Sequence, residues 1–450
     1  QHEPSPPAVA TESVAIVRPA AVPPPPPLEA ARAKPFDGEK AVVAERPSIP
    51  TVDGTRPRGD VWERIRKGFA MDDLDSALVR KQVAYYTAHP EYLQRVFDRS
   101  KLYLYHIVTE IERRGLPTEL ALLPMVESAF NPMAYSRARA SGLWQFIPST
   151  GKRFELEQSW WYDERRDIVD STNAALDYLT EIYKMHGDWH LALASYNWGE
   201  NAVSRAIAKN RKAKKPTDYE HLRMPKETRW YVPKLQALKN IIRDPARYGI
   251  DLSPIPNEPY FVRVSETPDI DLQLAAKLAE MPVEEFLALN PGFNRPLIRS
   301  SGGSRIVLPA EKVDVFYENL AKYDPKSLVS WQVYHPKRGE TFTTLAKKFS
   351  VPIAQLKKVN GVHARSTQMP DVLVVPLREE ALEAAKLPVM YAPPIPVRGT
   401  LNVVHRVKAG ETLAGIAKRY RVTVQTLKRL NRLGPTLHVG QKIYVRKRIR

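Results

Sequence analysis

Residues 124–132 read PMVESAFNP, and the stretch places a glutamate, Glu127, where the pattern asks for a core residue. Leu120, Leu122, Leu123, Met125 and Val126 precede it, and Ala129 and Phe130 follow. Suppose residues 118–129 form a helix, with Thr118 as N-cap after the stop at Gly115-Leu116-Pro117. Leu120, Leu123, Pro124 and Glu127 then share one face. Glu127 projects from an apolar surface near a helix C-terminus. Desolvation and the negative end of the helix dipole both penalise its ionised form, so a raised pKa is expected. An acid that keeps its proton near neutrality is what glycoside cleavage needs. A partly exposed glutamate at a helix end, or one paired with an arginine such as Arg137, would leave the same local pattern.

The surroundings add chemistry. SGLWQFIPSTG (141–151) is a Gly-bounded segment with an amide, an aromatic and hydroxyls, and LALASYNWGENAV (191–203) brings Tyr, Asn and Trp into a turn-like context. Such side chains hydrogen-bond to and stack on sugars, although Trp144 taken alone reads as core. Around them, VWERIRKGF (61–69), ALVRKQVAYYTAH (77–89), LQRVFDRSKLYLYHIVTEIERRG (93–115) and STNAALDYLTEIYKMHG (171–187) carry apolar residues at helical spacing. A compact, mostly α-helical domain with one cleft is expected over 59–250. YDERRDIVD (162–170) alternates Asp163, Glu164, Asp167 and Asp170 with Arg165 and Arg166 and reads as a salt-bridged helix start.

Beyond it lies an internal repeat. AAKLAEMPVEEFLALN (275–290), LAKKFSVPIAQLKKVN (345–360) and IAKRYRVTVQTLKRLN (416–431) align without a gap, each with Lys third and Asn last. A break before Pro282, Pro352 and Thr423 splits each copy into two short helices. Strand-like segments flank them: YFVRV and RIVLP, then YHPKRGET and VLVVPL, then VVHRVKAGET and HVGQKIYV. The unit is β-α-α-β and near the lower size limit for folding alone. Its copies are expected at 258–320, 331–378 and 402–446, with linkers near 321–330 and at the Pro-rich 388–399. Residues 1–58, with five prolines at 23–27, read as a disordered or polyproline-II tether.

Bulk properties set outer bounds. The 450-residue chain carries a net charge of +18 and no cysteine, which excludes disulfides and thiolate metal sites. No apolar run is long enough to span a membrane. There is no HExxH spacing, acidic calcium loop or Gly-rich phosphate loop, so no metal or cofactor is expected. Residues 403–450 hold many Lys and Arg and one acid, Glu411. Such a face suits an acidic polymer; a plain solvated surface and a phosphate backbone are the alternatives.

Glu127-Ser128, GLWQ (142–145) and SYN (195–197) resemble, in this order, the signature blocks of lysozyme-like lytic transglycosylases, which cleave the glycan of bacterial peptidoglycan. ETRWYVPK (227–234) looks like the fourth block. VWERIRKGF, YDERRDIVDSTNAALDYL (162–179) and the trailing repeats resemble the membrane-bound lytic murein transglycosylase D branch. The repeats, with KAGETL (408–413), are similar to LysM carbohydrate-binding modules, the first copy being degenerate because it lacks the GET turn. The resemblance implies a multidomain protein: a lysozyme-like catalytic domain plus βααβ LysM modules. Glu127 would be the single catalytic acid and base. Ser136 would sit near it and orient an N-acetyl group, Gln145 would bind substrate, Tyr196 and Asn197 would hold Glu127 and the acetamido group, and Tyr231 would line the same subsite. Trp198 could add a stacking surface.

In LysM modules the glycan groove lies between the loop after the first strand and the loop after the second helix. Here that implies Gly339, Glu340 and Thr341, and Gly410, Glu411 and Thr412 with Leu433 and Gly434. Hydrolases ordinarily pair two carboxylates. The blocks are read as supplying one, which favours a non-hydrolytic route to 1,6-anhydroMurNAc ends. A hydrolytic muramidase, or a wall-binding scaffold without activity, stays open. The expected partners are peptidoglycan strands rather than nucleic acid, and the expected state is a monomer. The chain starts at Gln1 rather than Met, so a preceding segment is expected. The resemblance implies a periplasmic enzyme, soluble or held at the outer membrane by a lipid on residues before Gln1.

Overall fold

The computed structural model describes residues 59–264, 267–300 and 306–377, and most of 400–448; within that last span 409, 421, 423, 425, 426, 428–430 and 432–436 are left out. The expected tether at 1–58, the linker at 388–399, Leu433 and Gly434 lie outside the described residues. The chain divides into two compact units, one reaching through the second repeat and one holding the third.

Helices α1 (Val61–Lys67), α2 (Ala77–Thr87), α3 (Pro90–Ser100), α4 (Leu104–Arg113), α5 (Leu123–Ser128), α6 (Pro148–Arg153), α7 (Ile168–His186), α8 (Trp189–Trp198), α9 (Glu200–Lys212) and α10 (Lys226–Arg243) build the first domain. Local chemistry sets their ends. Asp167 caps α7 by accepting from the Val169 and Asp170 amides at 2.9 and 2.8 Å. Gly187 stops α7 in the left-handed region, and Asp188 caps α8. Leu176, Leu179, Ile182, Leu193, Leu238 and Ile241 are buried between α7, α8 and α10. Each such side chain contributes about 1.5–3 kcal/mol relative to exposure.

The helix expected over 118–129 is two pieces, a 3₁₀ turn at Thr118–Leu122 and α5. Pro124 has no N–H to bond the Leu120 carbonyl four residues back, and that carbonyl accepts from Leu123 instead. α10 holds a second internal proline, Pro233. It frees the Arg229 carbonyl, which accepts from the Tyr219 hydroxyl at 2.9 Å. The helix therefore runs on through the proline.

Each repeat pairs its first and last strands antiparallel. Strand β1 (Phe261–Val264) pairs with β4 (Ile306–Pro309), Phe261 opposite Pro309. A small pair, β2 (Ile270–Asp271) with β3 (Leu297–Ile298), is added in the first copy. In the second copy β5 (Trp331–Tyr334) pairs with β6 (Leu373–Pro376), Trp331 opposite Pro376. In the third β7 (Thr400–Arg406) pairs with β8 (Lys442–Arg448). Helices α11 (Leu272–Leu278) and α12 (Val283–Leu289) fill the first copy; α13 (Val313–Leu320) follows it; α14 (Phe342–Lys348) and α15 (Ile353–Val359) fill the second. In the third, the helix Leu413–Tyr420 packs Ile416 and Ala417 on Ile443 and Val445.

The final Asn of the repeat is a clamp. Asn360 donates to Leu356 and Val374 carbonyls at 2.8 and 2.9 Å and accepts from the Val374 amide at 2.7 Å. Asn290 does the same with Phe286 and Val307. Asn431 donates to the Leu427 carbonyl at 2.9 Å. One amide side chain thus ties the second helix to the last strand, using both donor and acceptor.

The first repeat is welded to the helical domain. Arg166, fully buried, donates to the Pro291 carbonyl at 2.7 Å and to Asn294 Oδ1. The Asp163 amide donates to Gly292 and the Asn294 amide to Trp161, both at 2.9 Å. Arg263 on β1 bonds Asp167 at 2.6 Å and Asp170 at 2.9 Å. The salt-bridged helix start of the sequence is therefore also a domain seam. A correction concerns 321–330, expected as a linker. Leu328 is buried, the Asp271 amide donates to its carbonyl, and the Ser330 amide donates to Asp271. The segment is packed because the carboxylate of Asp271 satisfies its backbone.

Candidate active site

Glu127 stands on the last turn of α5, one residue before its end. The turn that follows holds two non-glycine residues at positive φ, Ala129 at 50° and Phe130 at 53°. The Phe130 amide reaches back to the Pro124 carbonyl at 3.1 Å, and its buried ring stacks on Tyr103. Burial of that ring holds a backbone conformation that costs about 1–3 kcal/mol per residue. Ser128 donates to the Leu143 carbonyl at 2.9 Å, which fastens this turn to the GLWQ loop.

Within that loop Gly142 has φ 83°, and a Cβ there would lie 2.2 Å from the Arg165 carbonyl oxygen. No other residue fits. Trp144 is fully buried and donates to Thr172 at 3.0 Å, so it is core, as its isolated reading has it. Gln145, at φ 52°, donates to the Gly142 and Ala134 carbonyls at 2.8 and 3.3 Å. Glu127, Gln145, Phe146, Ile147, Thr150, Tyr178 and Tyr196 line one concavity.

Glu127 is partly exposed. Burial of its carboxyl pushes its pKa up to about 7; the nearby Glu227 charge adds to this, while the Tyr231 hydrogen bond and the Lys234 charge oppose it. The raised value expected from the sequence is therefore present, with burial as the main cause. The partner of Glu127 is Tyr231, whose hydroxyl donates to Oε1.

The other implied residues divide. Tyr196 lines the concavity, but its hydroxyl donates to the Trp144 carbonyl at 2.8 Å rather than to Glu127. Asn197 is buried and accepts from Thr228 at 2.8 Å, so it ties α8 to α10 and does not hold Glu127. Ser136 is buried and accepts from the Ala140 amide at 3.0 Å, closing its own loop. Trp198 is half-buried against the core. The reading of one carboxylate missed Glu227, the first residue of the fourth block. It stands one helical turn before Tyr231 on α10, exposed, and acts on Glu127 through its charge. Its i, i+4 spacing from Tyr231 was the available signal.

The residues implied for the repeats have local tasks. Glu340 accepts from Tyr334 and from the Lys337 amide, and Glu411 binds His405 and the Lys408 amide at 2.7 and 2.9 Å. Gly339 and Gly410 take positive φ. Thr341 caps α14, and Thr412 accepts from Gly415. The GET turn is thus built by its own chemistry: a left-handed glycine, a carboxylate latched to the first strand and a helix cap. Among the described residues no cluster fit for a metal ion is present, and no helix is long and apolar enough to cross a membrane.

Because Glu127 begins protonated, kcat/KM is expected to fall about tenfold per pH unit above about 7, and to stay flat below it. A pH–rate profile from pH 4.5 to 9 checks this. A fall on the acid side alone would rule out Glu127 as the proton donor.

Comparisons with known proteins agree with this geometry. Residues 106–218 match the transglycosylase SLT domain, 260–325 the LysM-like domain of lytic transglycosylase MltD, and 334–376 and 405–446 the LysM domain. The chain is 32% identical over 404 residues to the membrane-bound lytic murein transglycosylase D of Escherichia coli K12, covering 87% of each. It is 52% identical over 111 residues to a putative tributyltin chloride resistance protein of Alteromonas sp., covering 24% of this chain and 54% of that one. It is 33% identical over 87 residues to a putative soluble lytic murein transglycosylase of Haemophilus influenzae, covering 18% and 15%.

Proposed function

Since the chain belongs to the lytic murein transglycosylase D family, and is with it a peptidoglycan lytic transglycosylase carrying LysM glycan-binding modules, we propose that Glu127 performs both proton transfers of the reaction. Its carboxylic acid gives a proton to the glycosidic oxygen between MurNAc and GlcNAc, and the C1–O bond breaks. The substrate's N-acetyl oxygen shields the anomeric carbon. Glu127, now a carboxylate, takes the proton of the MurNAc C6 hydroxyl, whose oxygen bonds to C1. The product ends in 1,6-anhydroMurNAc and no water is consumed. The observation that carries this is one half-buried acid, held by a tyrosine hydroxyl, with its pKa near 7. Gln145 and Tyr196, on the same concavity, would bind the sugars, and Ser136 and Asn197 would keep the loop and α8 in place.

A hydrolytic reading draws on Glu227, which could activate a water. Mass spectrometry of the muropeptides separates the two. The transglycosylase product is expected one water lighter than the muramidase product, in wild type and in Glu227→Gln alike. A hydrated product, or loss of turnover in Glu227→Gln, would favour hydrolysis.

The modules are proposed to hold the enzyme on the glycan through the GET loops, Gly339-Glu340-Thr341 and Gly410-Glu411-Thr412, with Leu433 and Gly434. The first repeat is the exception. Its loop after α12, residues 291–294, is the counterpart of a glycan-side loop and is packed on Trp161, Tyr162 and Arg166. We assign it a structural task. The relative's name and the peptidoglycan substrate point to the cell envelope; a periplasmic, monomeric form, with or without a lipid anchor, is part of the proposal.

A further inference from the structure

Behind the catalytic turn lies an ion pair that the chemistry does not use. Lys239 on α10 and Glu119 on the 3₁₀ turn are both buried, and Lys239 Nζ lies 2.8 Å from Glu119 Oε1. Lys239 also bonds Asp73 and the Met71 carbonyl, each at 2.8 Å. Glu119 also accepts from the Ala70 and Met71 amides at 3.1 and 2.9 Å. Every strong hydrogen-bonding direction of the pair is satisfied.

The pair has a counterpart. Glu127 is eight residues after Glu119, and Tyr231 is eight residues before Lys239. The two segments run antiparallel, cross-linked at each end: Glu119 to Lys239 at one, Glu127 to Tyr231 at the other. On α10 the links are about 12 Å apart. The first is shut away from solvent, and the second opens on the cleft. Between them lies Pro233, which removes one hydrogen bond from α10 and leaves this stretch without its full ladder.

We propose that the Glu119–Lys239 pair is a positioning device that fixes α10 in register against the catalytic turn, so that the Tyr231 hydroxyl meets Glu127. Neither member touches substrate. The inference rests on Glu127 being the acid. The groups that chiefly act on Glu127 are Tyr231, Glu227 and Lys234, and Lys239 is not among them. A change at Lys239 therefore reaches Glu127 through the place of Tyr231 and not through charge.

This separates a positioning role from a merely structural one. The Tyr231 bond lowers the Glu127 pKa. With the full chain, Tyr231→Phe is expected to move the alkaline limb of kcat/KM to higher pH. Lys239→Met is expected to move it the same way and to lower kcat about tenfold, the value of one hydrogen bond, with KM unchanged. The double variant should show no further shift. Should Lys239→Met fail to fold at the assay temperature, Glu119→Gln with Lys239→Met leaves no buried charge and carries the same expectation. A limb that stays at the wild-type pH in a folded Lys239 variant, or shifts that add in the double variant, overturns the proposal. The parent reading fails separately, through an active Glu127→Gln.

Discussion

Glu127→Gln should lower kcat about 10⁴-fold, the upper range for a general acid–base, because one side chain serves both proton transfers. That is ~5 kcal/mol of transition-state stabilisation. Gln is isosteric, and its carbonyl oxygen can still accept from the Tyr231 hydroxyl, so the cleft keeps its shape. The variant is expected to sediment with sacculi as wild type does, since the repeats are untouched. Its stability should be distinctive. The folded carboxyl has its pKa raised from 4.5 to about 7, so the unfolded chain ionises first: the wild-type penalty starts above pH 4.5, grows up to about pH 7 and is constant beyond it. The variant lacks that penalty and should melt higher than wild type at pH 8.5, by less at pH 6, and equally near pH 4. Soluble muropeptides measured by chromatography, with pelleting and melting in parallel, check all of this. Turnover within tenfold of wild type would remove Glu127 from the chemistry.

The second large effect belongs to Arg166. Arg166→Met keeps an unbranched apolar stem but removes the guanidinium, and so takes from the buried Pro291 carbonyl and Asn294 Oδ1 the donor that Arg166 gives them. Asp163 keeps Arg165 at 2.7 Å, so the loss falls mostly on the seam. Breaking a buried charged network from one side costs about 3–5 kcal/mol. For a unit of this size that is a fall of roughly 10 °C in Tm. Differential scanning calorimetry checks it, and the first repeat should become the first site cut by trypsin. An unchanged Tm would mean that the seam is held by Arg263 with Asp167 and Asp170 alone.

Much of this molecule is legible in its sequence, and the part that is not has one cause. The repeats can be read because each is a local unit whose three Asn residues recur in register. The Asn clamp then gives that recurrence a reason. Glu127 can be read because a carboxylate in an apolar run is a local contradiction. What escapes is pairing across long separations. Nothing near Tyr196 or Tyr231 says which of them meets Glu127; that depends on how α8 and α10 pack, and the tyrosine nearer in sequence spends its hydroxyl on Trp144. Arg166 and Asn294 are 128 residues apart, so an arginine read as a helix-start charge is a weld. The 3₁₀ turn is a smaller miss with a visible signal, since Pro124 leaves the Leu120 carbonyl without its helical donor.

The strand register of the repeats carries a mechanical consequence. Trp331 lies opposite Pro376, so the chain enters and leaves the second repeat at neighbouring points. The paired strand ends form the foot of the repeat, and removing the repeat would shorten the path of the chain very little. A pull on the chain beyond Pro376 loads one strand pair at a time, from the open end inward, as in a zipper. The first repeat has the same register but is pinned by Arg166 and Arg263. The second is seated on the same core through Trp331, Val359 and Val374, so neither repeat peels away without disturbing it.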